Sequence, residues 1–262
     1  MKLTIEELQK LETEMLREVS SICKNNDISY FIAYGTGIGA IRHQGPIPWD
    51  ADADIIVPYK QLESFISTVR ENISDKFFLD FHDINPYYTA TFPRIGLKGY
   101  SSVALHLDVF IACGIPKNKE EQTVFFDKSK KLCKIHYYKT ASEKYRGKLS
   151  KKHKVKILLY RMRYIATSLE SIRKKFYYMC NENNYEDSEY ITNPSGGYGY
   201  KEIIPKAYLG AGKPMNYAGF FVNAPEKTDL YLEHFYGNYL SFPHESDREI
   251  KSVYNIHRLE LD

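Results

Sequence analysis

The sequence predicts an α+β protein: a small mixed β-sheet backed by helices, with a helical and loop-rich second half packed on it. Three observations carry that expectation. The first 115 residues alternate between apolar residues at helical spacing and short β-branched runs, in the order helix, strand, helix, strand, helix and then several strands. From 116 to 262 the pattern changes to a long basic helical segment followed by stretches rich in Gly and Pro. No repeat, low-complexity tract or linker separates the two parts, so 1–115 and 116–262 are expected to form one continuous globule. A chain of 262 residues is long enough to bury a full core.

In chain order, "LTIEELQKLETEMLREVSSICKNN" opens with the capping-box pair Thr4 and Glu7. It then keeps Ile5, Leu8, Leu11, Met15, Val19 and Ile22 at helical spacing, which predicts an amphipathic helix. "ISYFIA" (28–33) reads as a buried strand ended by Gly35, "TGIGAIRH" as the start of a short helix, and "ADIIVP" as a second strand stopped by Pro58. "YKQLESFISTVREN" returns to helical spacing through Leu62, Phe65, Ile66 and Val69, and "KFFLDF", "RIGLKG" and "LHLDVFIA" are further strands. In the second half, "KKHKVKILLYRMRYIATSLESIRKKFYYMC" places Val155, Leu158, Leu159, Met162, Ile165, Ala166, Leu169, Ile172 and Phe176 on one helical face. "NPSGGYGYKEIIP", "GAGKPM" and "NAPEK" read as loops, and "TDLYLEHFYGNYL" as a last helix before a polar tail.

Composition narrows the function classes. With 43% hydrophobic and 26% charged residues the chain is an ordinary folded protein. No apolar run approaches the roughly 18 residues that span a bilayer, and the N-terminus shows no signal-peptide core. Cys23, Cys113, Cys133 and Cys180 are widely spaced without a CxxC pair, which reads as reduced thiols, points to the cytoplasm and argues against zinc. The 23 tyrosines suit sugars and amphipathic ligands, because the ring stacks while the hydroxyl stays hydrogen-bonded.

The net charge of +3 hides an asymmetry: Ala141–Cys180 holds twelve Lys or Arg against Glu143 and Glu170. A Lys-rich helix is ordinarily a solvated face, but here acids are too few for i,i+4 pairing. The basic helix at 144–175 is therefore expected to meet an anionic membrane at its inner face, or a phosphate-bearing acceptor. Nucleic acid is not expected, because no aromatic stacking pattern accompanies the charge.

Asp50, Asp52 and Asp54 crowd the entrance of the apolar run "IIVP". Residues two apart on a strand share a side, so Asp52 and Asp54 project together and repel. A divalent cation relieves this, and Mg²⁺ is the usual choice where phosphates complete the ligand set. "HLDVF" sets Asp108 among core-type neighbours, and a strand beside the first would bring it to the same cluster. Two cations about 3.5–4 Å apart would there bind phosphates and activate a hydroxyl. On the Asp-x-Asp spacing alone a plainer reading stays open, in which these acids cap a strand and Asp108 is solvated on an edge.

"YGTGIGAIRHQGPIPWDADADI" resembles the signature of the LicD/fukutin-type family, which usually reads close to GTLLGAxRHxGxIPWDDDxDI. "LHLDVF", "KEIIPKAYLG" and "DLYLEHFYGNYLSFP" resemble its later blocks, so the likeness covers 28–110 and again 201–249. Ala51 and Ala53 depart from the usual Asp and Ile or Val, and Gly37 replaces an apolar residue. Asp50, Asp52 and Asp54 are retained. The resemblance implies a nucleotidyltransferase-like core and a CDP-alcohol phosphotransferase. Such an enzyme moves phosphocholine or a polyol phosphate to a sugar hydroxyl of a teichoic acid, lipo-oligosaccharide or capsule precursor, a glycan or lipid-linked glycan, and releases CMP.

In that reading Gly35 and Thr36 form the turn that meets the donor phosphates at a helix N-terminus. Asp52, Asp54 and Asp108 hold Mg²⁺, with Mn²⁺ as its substitute, and Asp108 is either also the general base or a metal ligand alone. Asp50 stands behind them, orienting Arg42 or a metal-bound water. Arg42 and His43 neutralise the pyrophosphate, and Arg94 and Lys98, four apart on one strand face, add phosphate contacts. Trp49 walls the donor alcohol, with Tyr87, Tyr88, Tyr198 and Tyr200 as candidates for an aromatic cage if that alcohol is choline. CDP-choline is the first choice of donor, with CDP-glycerol and CDP-ribitol left open. Two competing readings remain: transfer of the nucleoside monophosphate itself, and an inactive glycan-binding scaffold.

Overall fold

The structure, a computed structural model, describes residues 1–248 and 253–258; Glu249, where the C-terminal resemblance ends, lies outside the described residues. The short β1 (Lys2–Leu3) leads into α1 (Ile5–Asn25), whose N-terminus carries both halves of the capping box. The Glu7 amide donates to Thr4 Oγ1 at 3.3 Å and the Thr4 amide to Glu7 Oε2 at 2.9 Å. Next come β2 (Phe31–Ile32), α2 (Tyr34–Arg42), β3 (Ala53–Pro58), α3 (Leu62–Asn72), β4 (Phe77–Asp80), β5 (Arg94–Leu97) and β6 (His106–Ile115). The remainder is α4 (Lys119–Thr140), α5 (Glu143–Arg146), α6 (Lys151–Arg163), α7 (Leu169–Asn181), β7 (Tyr190–Thr192), β8 (Ile203–Pro205), β9 (Lys213–Tyr217), β10 (Phe220–Ala224), α8 (Thr228–Tyr236) and β11 (Tyr254–Asn255).

Seven strands form one mixed sheet in the order β2-β3-β6-β5-β4, with β7 on the far half of β6 and β8 beside β7. Within it β3 and β6 run parallel and the other pairs antiparallel. Every residue of β3 is buried, as a strand covered on both faces requires. Side-chain parity sorts the two cores. Ile55, Val57, Leu107 and Val109 pack with Leu8, Met15 and Phe65 of α1 and α3. Ile56 and Ala112 pack with Ile38, Leu232 and Phe235 of α2 and α8 on the other face. Because β6 pairs with β5 at one end and β7 at the other, the second half of the chain is built into the same sheet as the first.

Several elements differ from the sequence expectation. The strand at 28–33 is only two residues long as a ladder, although the Ala33 amide still donates to the Asp54 carbonyl at 3.0 Å. The basic segment is three helices rather than one, broken at Gly147 (φ +72°) and again between Tyr164 and Ser168. Its expected common apolar face also divides: Ile172 and Phe176 are buried, whereas Val155, Leu158, Leu159, Met162 and Ile165 are exposed. "GAGKPM" and "NAPEK" flank or enter a β9–β10 hairpin reversed at Ala218 and Gly219, both with positive φ, the geometry a two-residue hairpin turn needs. The last helix stops at Gly237 (φ +66°), earlier than its apolar pattern suggests. The 22-residue α4 was not anticipated.

Candidate active site

The turn from β2 into α2 is set by a residue outside its preferred conformation. Tyr34 has φ +46°, uncommon for a side-chain-bearing residue, and its hydroxyl is held in the interior. It donates to Glu202 Oε2 at 2.6 Å and accepts from Asn193 Nδ2 at 3.0 Å. Gly35 follows because Asp50 lies against it: a methyl group there would overlap the Asp50 carboxylate. Thr36 is buried, and its Oγ1 accepts from the Asp54 amide at 2.8 Å, tying the first turn of α2 to β3. Gly37 is explained by α8: a methyl would meet Leu232 Cδ2 at 3.2 Å, so Leu232 fills the space that an apolar residue would take.

The carboxylates meet through strand register. Asp54 is opposite Asp108 across the parallel β3–β6 pair, and Asp108 is opposite Arg94 across β6–β5. Parity sends Asp54 and Asp108 to the face covered by α2 and α8, where both are buried. Asp52 is exposed just before the strand, and Asp50 is half-buried beside Gly35. Arg94 Nε donates to Asp108 Oδ1 at 2.6 Å and its Nη1 to the Ser102 carbonyl at 3.1 Å; His106 Nε2 lies 3.3 Å from the same Asp108 oxygen.

A fifth acid, missed in the sequence, lies on α1 within the field of the four aspartates. Glu12 is buried and its Oε1 has no partner. Its signal was present: Glu12 falls four residues after Leu8 and four before Leu16, inside the buried stripe of α1, whereas the expected Leu11 is only half-buried.

Electrostatics divide the acids into two kinds. Burial, then the charges of Asp52, Asp108 and Asp50, push Asp54 well above the usual carboxylate range, with Arg94 a partial offset. Burial followed by all four aspartates does the same to Glu12, and burial with Asp52 pushes Asp50 up to about 7. Asp108 is the opposite case. Burial alone would raise it, but Arg94 and His106 outweigh that and hold it well below the usual range. A carboxylate held in its ionised form is a weak proton acceptor, so this environment favours the metal-ligand role of Asp108 over the base role.

Among the described residues no three His, Cys, Asp or Glu side chains converge closely enough to hold a metal ion by themselves. The donor set nevertheless suits a hard cation. It is all carboxylate oxygen, Arg94 is hydrogen-bonded to Asp108 alone among these acids, and burial with mutual repulsion pushes Asp54 and Asp50 up. Asp52 and Asp54 would hold Mg²⁺ beside Asp108, with further ligands left to substrate phosphates.

Other expected site residues are placed as follows. Arg42 does not pair with Asp50. Its Nη1 donates to the Tyr239 and Ser241 carbonyls at 3.0 Å each, and its Nε to His43 Nε2 at 3.0 Å. It lies over the Phe242 and Trp49 rings, at 4.7 and 5.7 Å from their centroids, with Arg248 over the same two rings. Arg94 is Asp108's counter-ion instead of a free phosphate ligand. Lys98 is in the turn after β5, paired with Asp75 at 3.2 Å and about 13 Å along the chain from Arg94.

Of the tyrosines, Tyr88 is in the core with its hydroxyl on the Phe92 carbonyl, Tyr87 packs under Lys144, and Tyr200 bonds Asp127. Tyr198 is at the acid cluster, within reach of the charges of Asp54 and Asp50. It stacks on Tyr34 (centroids 5.3 Å apart) and meets Tyr236 at 80°, hydroxyl to hydroxyl at 2.6 Å. Tyr236, which also feels Asp54, and Glu202 were not foreseen.

Comparison with known proteins agrees with the motif likeness. The family described as LicD/FKTN/FKRP, nucleotidyltransferase domain, matches residues 27–142. The chain is 26% identical over 260 residues to the lipopolysaccharide cholinephosphotransferase LicD of Haemophilus influenzae, covering 95% of this chain and 96% of that protein. Shorter likenesses, 43% identical over 42 residues and 16% of this chain, link it to uncharacterized proteins of Rickettsia prowazekii (16% of that protein) and Rickettsia typhi (14%).

Proposed function

We propose, from the match of residues 27–142 to the LicD/FKTN/FKRP nucleotidyltransferase domain, that the chain is a phosphotransferase that moves phosphocholine from CDP-choline to a sugar hydroxyl of a surface-glycan precursor, with release of CMP. The observation that carries this reading is the in-register pairing of Asp54 with Asp108, within the field of Asp52, Asp50 and Glu12. Such an excess of negative charge at one end of a sheet suits a cation that brings a diphosphate. Mg²⁺, when bound, supplies charge neutralisation for the diphosphate and lowers the pKa of the acceptor hydroxyl.

The chain's own groups do the rest. The first-turn amides of α2 at Gly35 and Thr36 face the donor phosphates. Arg94 keeps Asp108 ionised and oriented, so its charge is constant through the reaction. The sugar oxygen attacks the β-phosphorus, the β-phosphorus–oxygen bond to CMP breaks, and the hydroxyl proton passes to a carboxylate of the cluster other than Asp108. The perpendicular rings of Tyr198 and Tyr236, close to Asp54, offer two aromatic faces and a negative field to a quaternary ammonium. Similarity over most of both chains to a protein named as a lipopolysaccharide cholinephosphotransferase supports phosphocholine as the group transferred.

The test is to offer CDP-choline, CDP-glycerol and CDP-ribitol with Mg²⁺ and a glycan acceptor, following CMP release and the mass of the product. CMP release with phosphocholine on the sugar supports the reading. A nucleoside monophosphate left on the acceptor replaces it with nucleotidyl transfer. Acceptor binding without turnover of any CDP ester makes the chain a scaffold.

A further inference from the structure

Helix α6 turns an apolar stripe away from the protein. Val155, Leu158, Leu159 and Met162 recur at spacings of three and four, and Ile165 continues the line past the helix end; each is more than half exposed, Ile165 at 82%. This stripe is not the packing face. Ile157 is the buried residue of α6, and on that opposite side Tyr160 stacks on Tyr138 of α4 with centroids 4.4 Å apart. The helix therefore has one face for the fold and a second apolar face for something else.

Charge says what that something is. At 100° per residue, Lys152, Lys156 and Arg163 flank the stripe on one side; on the other, Lys154 pairs with Glu143 of α5 at 2.8 Å and Arg161 Nη2 donates to the Ala141 carbonyl at 2.9 Å, and α6 itself holds no acid. Between α4 and α6 opens a cleft of about 570 Å³, lined by Lys131, Lys134 and Arg163, with Lys130 held on the Ser195 and Gly196 carbonyls, and bordered by Leu159 of the stripe. A second copy docking face to face would set these lysines against each other. At 13 residues the helix is too short to cross a bilayer, and no helix among the described residues is long and apolar enough to do so.

We propose that α6 lies in the plane of an anionic membrane, its stripe among the acyl chains and its flanking cations and the α4–α6 cleft on lipid phosphates. This assignment does not depend on the transfer reaction.

Flotation of the full chain with vesicles of phosphatidylglycerol and phosphatidylcholine in equal parts, against phosphatidylcholine alone, tests it. Binding to the anionic vesicles alone, weakened by salt, is expected. The triple variant Lys152→Gln, Lys156→Gln, Arg163→Gln should lower partitioning by about a hundredfold. Leu158→Ser with Leu159→Ser and Met162→Ser should abolish it. All six positions are exposed, so circular dichroism and melting temperature should stay unchanged and show that the variants are folded. Equal binding to neutral vesicles, no binding to either, or a stripe variant that alters self-association by light scattering instead of flotation would overturn the proposal.

Discussion

Asp54 and Asp108 stand opposite one another across the parallel β3–β6 pair, and Arg94 faces Asp108 from the neighbouring strand. One cation thus serves two adjacent buried carboxylates, and its hydrogen bond goes to Asp108. Asp54 is left with its charge uncompensated among Asp52, Asp50 and Glu12.

From this imbalance Asp54→Asn should stabilise the metal-free protein while removing its response to Mg²⁺. Relief of buried repulsion worth about 1 kcal/mol would raise Tm by roughly 2–4 °C for a chain of this size. Activity should fall by roughly 10²–10³-fold, the scale of losing one preorganised electrostatic contact. Thermal melts with and without Mg²⁺, beside CMP release, check it; a variant that keeps the wild-type Mg²⁺ shift would remove Asp54 from the cation site.

Arg94→Met leaves Asp108 buried without its partner. Breaking such a pair costs on the order of 3–5 kcal/mol, whereas removing both charges together costs much less. Urea denaturation of Arg94→Met, Asp108→Asn and the double variant should therefore give a coupling of about 3 kcal/mol. Additive losses would mean that the two side chains act independently.

Two glycines of α2 should respond differently to alanine. At Gly35 the added methyl meets the end of the Asp50 side chain, which can swing away, whereas at Gly39 it meets the carbonyl oxygen of Gly45, which is backbone. Gly39→Ala should cost about 1–3 kcal/mol of stability. Gly35→Ala should cost less than that and lower activity about tenfold, through a displaced Asp50 carboxylate, on the scale of disturbed ligand-orienting groups. Chemical denaturation and turnover of the same two proteins separate the effects.

Tyr198→Leu removes one face of the Tyr198–Tyr236 corner. A cation–π contact is worth about 1–2 kcal/mol when desolvated, so KM for CDP-choline should rise by roughly tenfold while KM for CDP-glycerol changes little. An equal rise for both donors would make Tyr198 a packing residue instead of a reader of the alcohol.

His82 and His136 provide a pH dependence. Burial, reinforced by Arg173, lowers both to about 4 from an ordinary 6.5. His136 Nε2 accepts from Arg173 Nε at 3.1 Å, so the neutral ring is the one that fits. Between pH 6.5 and 4 the unfolded chain binds more protons at these sites than the folded one, so their contribution is complete above pH 6.5 and is lost as pH falls. The buried acids with raised pKa work the other way, gaining stability on acidification, so the clean measurement is a difference. The stability gap between the wild type and His136→Asn should narrow by on the order of 2 kcal/mol from pH 6.5 to 4.

The amino-acid sequence by itself determined the local elements and the inventory of acids. The capping box and apolar spacing of α1 and the β-branched run of β3 were legible because each is written in neighbours a few residues apart, as was the oddity of each aspartate among its own apolar neighbours. The family motif, likewise contiguous, pointed to the same end of the sheet. Tertiary structure decided what lies across from each face. It set Arg94 against Asp108, brought Glu12 of α1 to the aspartates, and removed Tyr88 and Lys98 from the site. It also turned the Leu158–Leu159 stripe to the outside. Periodicity states that a helix or strand has an apolar side, but only the packing of elements distant in sequence determines whether that side meets the core, a second charge or open solvent.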